Sequence, residues 1–337
     1  MVGRPVLLRR ALQSALRPSG AKKSIARQFT STTARPAPNN TPDYAVPDPA
    51  RPTHFGFETV TEAEKRERVA GVFTSVAESY DRMNDLMSFG WHRIWKDHFV
   101  ASLNPGFNPL TDGPDPRAPQ HILDIAGGTG DIAFRMLHTA HVVNNNPDVR
   151  VTISDINPAM LTVGKQRSAA LPASQQAALA FVEANAEDLT KTTPLSTNLS
   201  APNPNPTSAI PSNSVDLYTV AFGIRNFSNI PAALREAHRV LKPGGVFACL
   251  EFSKVDKHPL FNTVYKEWSF RAIPLIGQLV AGDRDSYQYL VESIERFPSQ
   301  EDFRDMIVDA GFVVGGCGYE DLTGGVAAIH KGMKPRQ

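Results

Sequence analysis

The segment "HILDIAGGTGD" (residues 121–131) joins a short run of buried-strand character to a glycine-rich turn and then a helix. Such a turn lets a ligand approach backbone that side chains would otherwise cover. The small residues Ala126, Gly128 and Gly130 recur every second position, so the dinucleotide fingerprint G-x-G-x-x-G is absent. Asp124 stands on the strand just before the loop. A carboxylate there sits poorly beside a pyrophosphate and well beside an ammonium group, which favours S-adenosylmethionine over a nicotinamide dinucleotide. Taken alone, the loop is equally compatible with a bland tight turn.

A second acid, Asp155, ends the next strand in "VTISD". A carboxylate at that place can accept hydrogen bonds from both hydroxyls of a ribose. The alternative is an N-cap for the helix that begins in "INPAML". "EANAEDL" (183–189) follows the third strand, at the sheet edge where an adenine would lie. The three segments together are far more specific than any one. "FGIRN" (222–226) ends the fourth strand, and its Arg225 and Asn226 are candidates for phenolate stabilisation and hydroxyl orientation. The alternative for Arg225 is an ion pair with a structural carboxylate. Tyr80 and His92 are alternative proton carriers, with His92 more simply read as structural.

The elements that must carry these groups alternate. Strands near "HILDIA", "VRVTISD", "ALAFVEA", "VDLYTVAF" and "GVFACLEF" are separated by helical stretches, a spacing that predicts a parallel, doubly wound α/β sheet. "FVVGGCGYE" and "GGVAAIHKG" then read as consecutive strands that must pair antiparallel. Thr61 and Glu64 form a capping box that opens a helix, interrupted at "SFG" (88–90) and resumed in "WHRIWKDHFVASL". Tyr80, Met83, Met87, Trp91 and Trp95 step by three or four, the spacing of one helix face. The spacing alone puts this stretch against the core. The break at "SFG" and its place before the first strand add a reading as two short helices that wall the cleft, with Tyr80, Met83 and Met87 nearest it. "KPGG" (242–245) reads as a helix-ending turn, Glu251 as either fold support or a substrate contact, and the aromatic-rich 258–296 as a cap.

The chain has 337 residues, 41% of them hydrophobic, and a formal charge of +1 that conceals an asymmetry. Eight basic residues (Arg4, Arg9, Arg10, Arg17, Lys22, Lys23, Arg27 and Arg35) and no acid precede Asp43, leaving 27 basic against 34 acidic residues afterwards. An acidic body is a poor nucleic-acid binder. The basic head, residues 1–35, has the composition of a mitochondrial transit peptide. Residues 36–60 read as a proline-rich linker, 61–337 as the catalytic domain, and 191–213 as a disordered insertion within it. Cys249 and Cys317, the only cysteines, read as buried inert thiols, and no metal site is expected.

"YDRMNDLMSFGWHRIW", "DIAGGTGD", "ANAEDL", "FGIRNF", "RVLKPGGVFACLEFS" and "DSYQYLVESIERFPSQ" occur in an order that resembles the ubiquinone/menaquinone biosynthesis C-methyltransferases across about residues 61–333. That resemblance implies a class I S-adenosylmethionine-dependent methyltransferase fold, Rossmann-like, with a seven-stranded sheet whose last strand is antiparallel, N-terminal helices and a helical cap. It implies methyl transfer from S-adenosylmethionine to a ring carbon of a prenylated benzoquinol, and cofactor contacts at Thr129, Asp155, Asn185 and Ala186. Bacterial relatives often carry serine where this chain has Ala221. The resemblance further implies a peripheral site on the matrix face of the mitochondrial inner membrane, other quinone-synthesis proteins as partners, and a possible homodimer. The competing readings are a same-fold methyltransferase of another lipid or aromatic, and a cofactor-binding scaffold.

Overall fold

The computed structural model describes residues 48–76, 85, 88, 90–107, 118–195, 209–255, 262–263, 267–275, 278 and 284–336. Strands β1 (Pro52–Phe55) and β2 (Glu58–Thr61) form an antiparallel hairpin ahead of helix α1 (Glu62–Val76). Order therefore begins before Thr61, inside what composition marks as linker. The prolines forbid a helix but not an edge strand. The capping box is formed: the Thr61 N–H donates to Glu64 Oε2 at 3.0 Å, and the Glu64 N–H donates to Thr61 Oγ1 at 3.2 Å. Helix α2 (Trp91–Leu103) starts at Gly90, which adopts φ 79°.

The central sheet has eight strands. They are β3 (His121–Ile125), β4 (Arg150–Asp155), β5 (Leu179–Asn185), β6 (Asp188–Pro194), β7 (Val215–Ala221), β8 (Leu241–Phe252), β9 (Tyr319–Leu322) and β10 (Ala327–Met333). Their spatial order is β6-β5-β4-β3-β7-β8-β10-β9. Strands β3, β4, β5, β7 and β8 are mutually parallel, and β10 is antiparallel to both of its neighbours. Seven of the strands give the expected arrangement. The eighth, β6, is an added antiparallel edge strand on β5. It takes in Lys191–Pro194, so the insertion is ordered at its start. At its other end Ile210 is buried and its N–H donates to Leu189 O at 2.9 Å.

Helices cover both faces: α3 (Asp131–His138), α4 (Pro158–Ser168), α5 (Ala173–Ala177), α6 (Ile230–Val240), α7 (Arg284–Arg296) and α8 (Gln300–Asp309). A parallel sheet buried on both sides needs apolar residues on both strand faces. In β3, Ile122 enters the layer of Phe99, Met136 and Phe252, while Leu123 and Ile125 enter that of Tyr218, Leu234 and Phe303. Asn157, Asn229 and Ser299 accept N–H groups of the first turns of α4, α6 and α8, which sets where each helix starts.

Three further expectations need correction. The segment "KPGG" is part of β8, whose ladder with β7 shifts register there, and Gly244 adopts φ 82°. "FVVGGCGYE" is a strand only from Tyr319. Before that, Val313 makes one isolated bridge to Met333 and the glycines turn the chain. Cys317, flanked by two of those glycines, is exposed, whereas Cys249 is buried in β8.

Candidate active site

The strand order reverses between β3 and β7, and ligands bind in the crevice beyond the carboxyl ends of strands at such a reversal. A cleft of about 1100 Å³, partly open to solvent, lies there. Asp124, Gly128, Thr129, Asp155, Asn185, Ala186 and Asn226 all line it. Helix α1 supplies Arg66, Val69, Ala70 and Phe73 to the opposite wall, and α2 supplies Lys96.

The glycine loop is shaped by its backbone. Gly130 adopts φ 83°, and a Cβ there would lie 2.5 Å from the Phe134 ring, so it forms the turn into α3 rather than the cleft wall. On α4, a Cβ at Gly164 would lie 2.5 Å from Gly128 O, so the helix and loop meet backbone to backbone. Two residues that are not glycine, Ala126 (φ 51°) and Phe222 (φ 55°), also adopt left-handed conformations. They end β3 and β7, the two strands that flank the cleft. Such strain collects at ligand-binding sites, held by the surrounding structure.

Of the two acids at the strand ends, Asp124 is fully buried and Asp155 is half-buried at the cleft. Asp124 Oδ1 accepts from Thr219 Oγ1 at 2.7 Å, and its Oδ2 is buried without a hydrogen-bond partner. Burial pushes its carboxyl up to about 7, with Asp131 and Asp155 adding to the shift against the Thr219 hydrogen bond. Asp155 is likewise raised by burial, to about 6, against hydrogen bonds from backbone N–H groups. The capping role considered for Asp155 belongs instead to Asn157, whose side chain accepts from the Ala159 N–H. Asp155 itself accepts the Asn157 N–H at 2.9 Å and stays on the cleft. A buried, unpartnered carboxyl oxygen is the feature a cationic ligand group would complete, so these residues fit S-adenosylmethionine.

Two side chains at the site carry roles that composition did not disclose. Lys96, 4% exposed, donates to Asp131 Oδ2 at 2.7 Å. Lys96 and Arg135 hold the Asp131 carboxyl below its ordinary value although burial opposes them. Glu187 Oε1 accepts the N–H groups of Ser228 (2.7 Å) and Asn229 (2.9 Å), tying the end of β5 to the loop beyond β7. The signal was present in both: a lysine between Trp95 and Phe99 at core spacing, and an acid inside an otherwise small-residue turn.

Arg225 does not line this cleft. Its guanidinium donates to Glu251 Oε1 and to Phe222 O, each at 2.7 Å, and to Ser293 Oγ at 3.3 Å. It faces a separate pocket with Lys65, Ser228 and Asn229. The structural alternative for Arg225 is thus the one the geometry favours, and Glu251 is its buried partner. The adjacent Asn226 lines the cleft; its Oδ1 accepts from Tyr289 Oη at 3.0 Å, while its Nδ2 is buried without a hydrogen-bond partner. His92 is buried against Ser88, with Nδ1 to Oγ at 3.1 Å. Trp95 is in the core and Trp91 is exposed, so the two do not share one buried face. Tyr80, Met83 and Met87 lie outside the described residues. Among the described residues no cluster of potential metal ligands occurs.

Comparison with known proteins gives the family. Residues 60–197 and 205–334 match the family model described as the ubiE/COQ5 methyltransferase family. The chain is 51% identical over 283 residues to the mitochondrial 2-methoxy-6-polyprenyl-1,4-benzoquinol methylase of Schizosaccharomyces pombe, covering 84% of each chain. It is 46% identical over 313 residues to the human protein of the same name, covering 85% of each. To the ubiquinone/menaquinone biosynthesis C-methyltransferase UbiE of Brucella suis it is 49% identical over 280 residues, covering 83% of this chain and 90% of that one. With a doubly wound sheet, a cleft at its switch point and a match over most of its length, the chain belongs to the ubiE/COQ5 methyltransferase family.

Proposed function

We propose that this chain transfers a methyl group from S-adenosylmethionine to a ring carbon of 2-methoxy-6-polyprenyl-1,4-benzoquinol, in mitochondria. One observation carries the reading: a single cleft joins a buried carboxylate, Asp124, and a half-buried one, Asp155, to an asparagine amide whose nitrogen lacks a hydrogen-bond partner. The names of the relatives supply the substrate class.

When bound, S-adenosylmethionine supplies an activated methyl on a sulfonium with a built-in leaving group. Asp124 would hold its ammonium, Asp155 its ribose hydroxyls, and Asn185 with Ala186 its adenine. Lys96 brings a cation to the same cleft, suited to the carboxylate of the methionine part. Asn226 donates through Nδ2 to a ring hydroxyl, which fixes the ring against the methyl donor. Alignment of the reacting atoms is the main contribution such a site can make. The reduced ring is required, because its hydroxyls push electron density onto the carbon attacked. Val69, Ala70, Phe73 and Met160 give the cleft apolar surface that limits water around the reacting atoms.

Residues 1–35 act as the transit peptide in this reading. On the same reading the enzyme works at the matrix face of the inner membrane, beside other quinone-synthesis proteins. Among the described residues no helix is long and apolar enough to cross a membrane. The test is turnover of a short-chain 2-methoxy-6-prenyl-1,4-benzoquinol with S-adenosylmethionine under reducing conditions, read by mass spectrometry. A ring-methylated product is expected. Methylation of oxygen, or no product with the quinol kept reduced, overturns the reading.

A further inference from the structure

We infer that Tyr289 is a positioning residue for methyl transfer, holding the Asn226 amide in place at the cleft. The inference rests on the quinol-methylation reading above. An asparagine amide is nearly symmetric in shape, so its two flipped states differ only in the partners they find. Here the partner is fixed. Tyr289 Oη donates to Asn226 Oδ1 at 3.0 Å, and Nδ2 is left buried, without a hydrogen-bond partner, at the cleft. Burial keeps the Tyr289 phenol protonated well beyond the physiological range, so the proton it donates is always present. The phenol oxygen can accept as well as donate, so its hydroxyl sets where the Asn226 amide sits, and a ring oxygen gaining phenolate character favours the state that offers it the NH2 group.

The tyrosine is itself held on both sides. Its ring stacks on Phe55 of β1 with centroids 4.1 Å apart and planes 14° from parallel. One helical turn along α7, Ser293 Oγ accepts from Arg225 Nε. Consecutive residues of the loop beyond β7 are therefore each braced by one face of α7, and the orientation of Asn226 is built in before substrate arrives. Preorganised donors of this kind need no reorganisation during the reaction.

The variant Tyr289→Phe removes one oxygen and keeps the ring that stacks on Phe55. Its kcat for the quinol should fall on the order of 10-fold to 100-fold, while S-adenosylmethionine affinity measured by calorimetry and the thermal midpoint stay near wild type. In an Asn226→Ala background the same change should cost no further activity, because the residue through which Tyr289 acts is gone. Unchanged kcat in Tyr289→Phe, or an equal loss in both backgrounds, overturns the positioning role. So does a parallel loss of donor affinity, which would report a collapsed cleft. A wild type that fails to methylate the quinol overturns the proposed reaction and this inference with it; normal wild-type turnover matched by Tyr289→Phe overturns the inference alone.

Discussion

Arg225 and Glu251 form an ion pair at 2.7 Å, with the two side chains 0% and 1% exposed. Glu251 follows Leu250, which pairs with Ala221 across the β7–β8 ladder, so adjacent parallel strands deliver the acid to the loop that carries the arginine. The arginine also ties down Phe222 O, fixing the left-handed turn beside the cleft. Removing one partner of a buried pair leaves an uncompensated charge. Arg225→Ala should therefore lower folding stability by about 3–5 kcal/mol, measured by denaturant titration. An unchanged midpoint combined with lost turnover would instead give the guanidinium a direct chemical role. The double replacement Arg225→Met with Glu251→Leu should recover much of the stability, since it removes both charges together.

The raised carboxyls of Asp124 and Asp155 predict a proton linkage. Below about 7, Asp124 in the ligand-free protein keeps a proton that an ammonium-bearing ligand must displace. Binding of S-adenosylmethionine at about pH 6.5 should thus release protons, read as a calorimetric heat that varies with the ionisation enthalpy of the buffer. A heat independent of buffer would exclude this. Stability has the complementary sign. The folded state holds these protons where the unfolded chain has lost them, so ligand-free stability should decline as pH rises from the ordinary 3.8 through about 6 and 7. Asp124→Asn should flatten that decline while weakening the donor.

Asp155→Ala removes the acceptor assigned to the ribose. Loss of a charge-assisted contact of this kind costs about 1.5–3 kcal/mol, so affinity for S-adenosylmethionine should fall roughly 10-fold to 100-fold. Calorimetry with the unmodified affinity retained would show that Asp155 serves only the backbone turn at Asn157.

Gly164→Ala tests the close approach of α4 to the glycine loop. Because the added Cβ would stand 2.5 Å from a backbone oxygen, neither partner can yield by rotating a side chain. Overpacking of this sort costs about 1–3 kcal/mol, and it should appear as weaker donor binding along with a lower thermal midpoint. Equal affinity and stability in the variant would mean the loop has room that this packing denies.

How far the sequence revealed the site depends on how local each feature is. Asp124, Gly128, Thr129 and Asp155 were legible because strand, turn and helix follow one another within a few residues, so their place beyond the sheet needs no long-range information. The fate of Arg225 was not legible. Its partner lies 26 residues away on another strand, and only the ladder register brings them together. Lys96 was hidden for a related reason: its long side chain reaches Asp131, 35 residues on, from a helix whose periodicity announces only a core face. The hairpin at 52–61 escaped because proline content marks the absence of helix more clearly than it marks an edge strand.

That hairpin sets a limit on how much of the chain can be shed. Phe55 stacks on Tyr289, the Phe57 N–H donates to Glu292 at 3.2 Å, and Thr53 Oγ1 donates to Ser228 O at 3.2 Å. The hairpin therefore grips both α7 and the loop that carries Asn226. Truncation that stops ahead of Pro52 would leave this clasp whole. A cut a dozen residues later would leave the donor-binding loops in place and free the machinery that aims the acceptor, giving a protein that loads its methyl group and cannot deliver it.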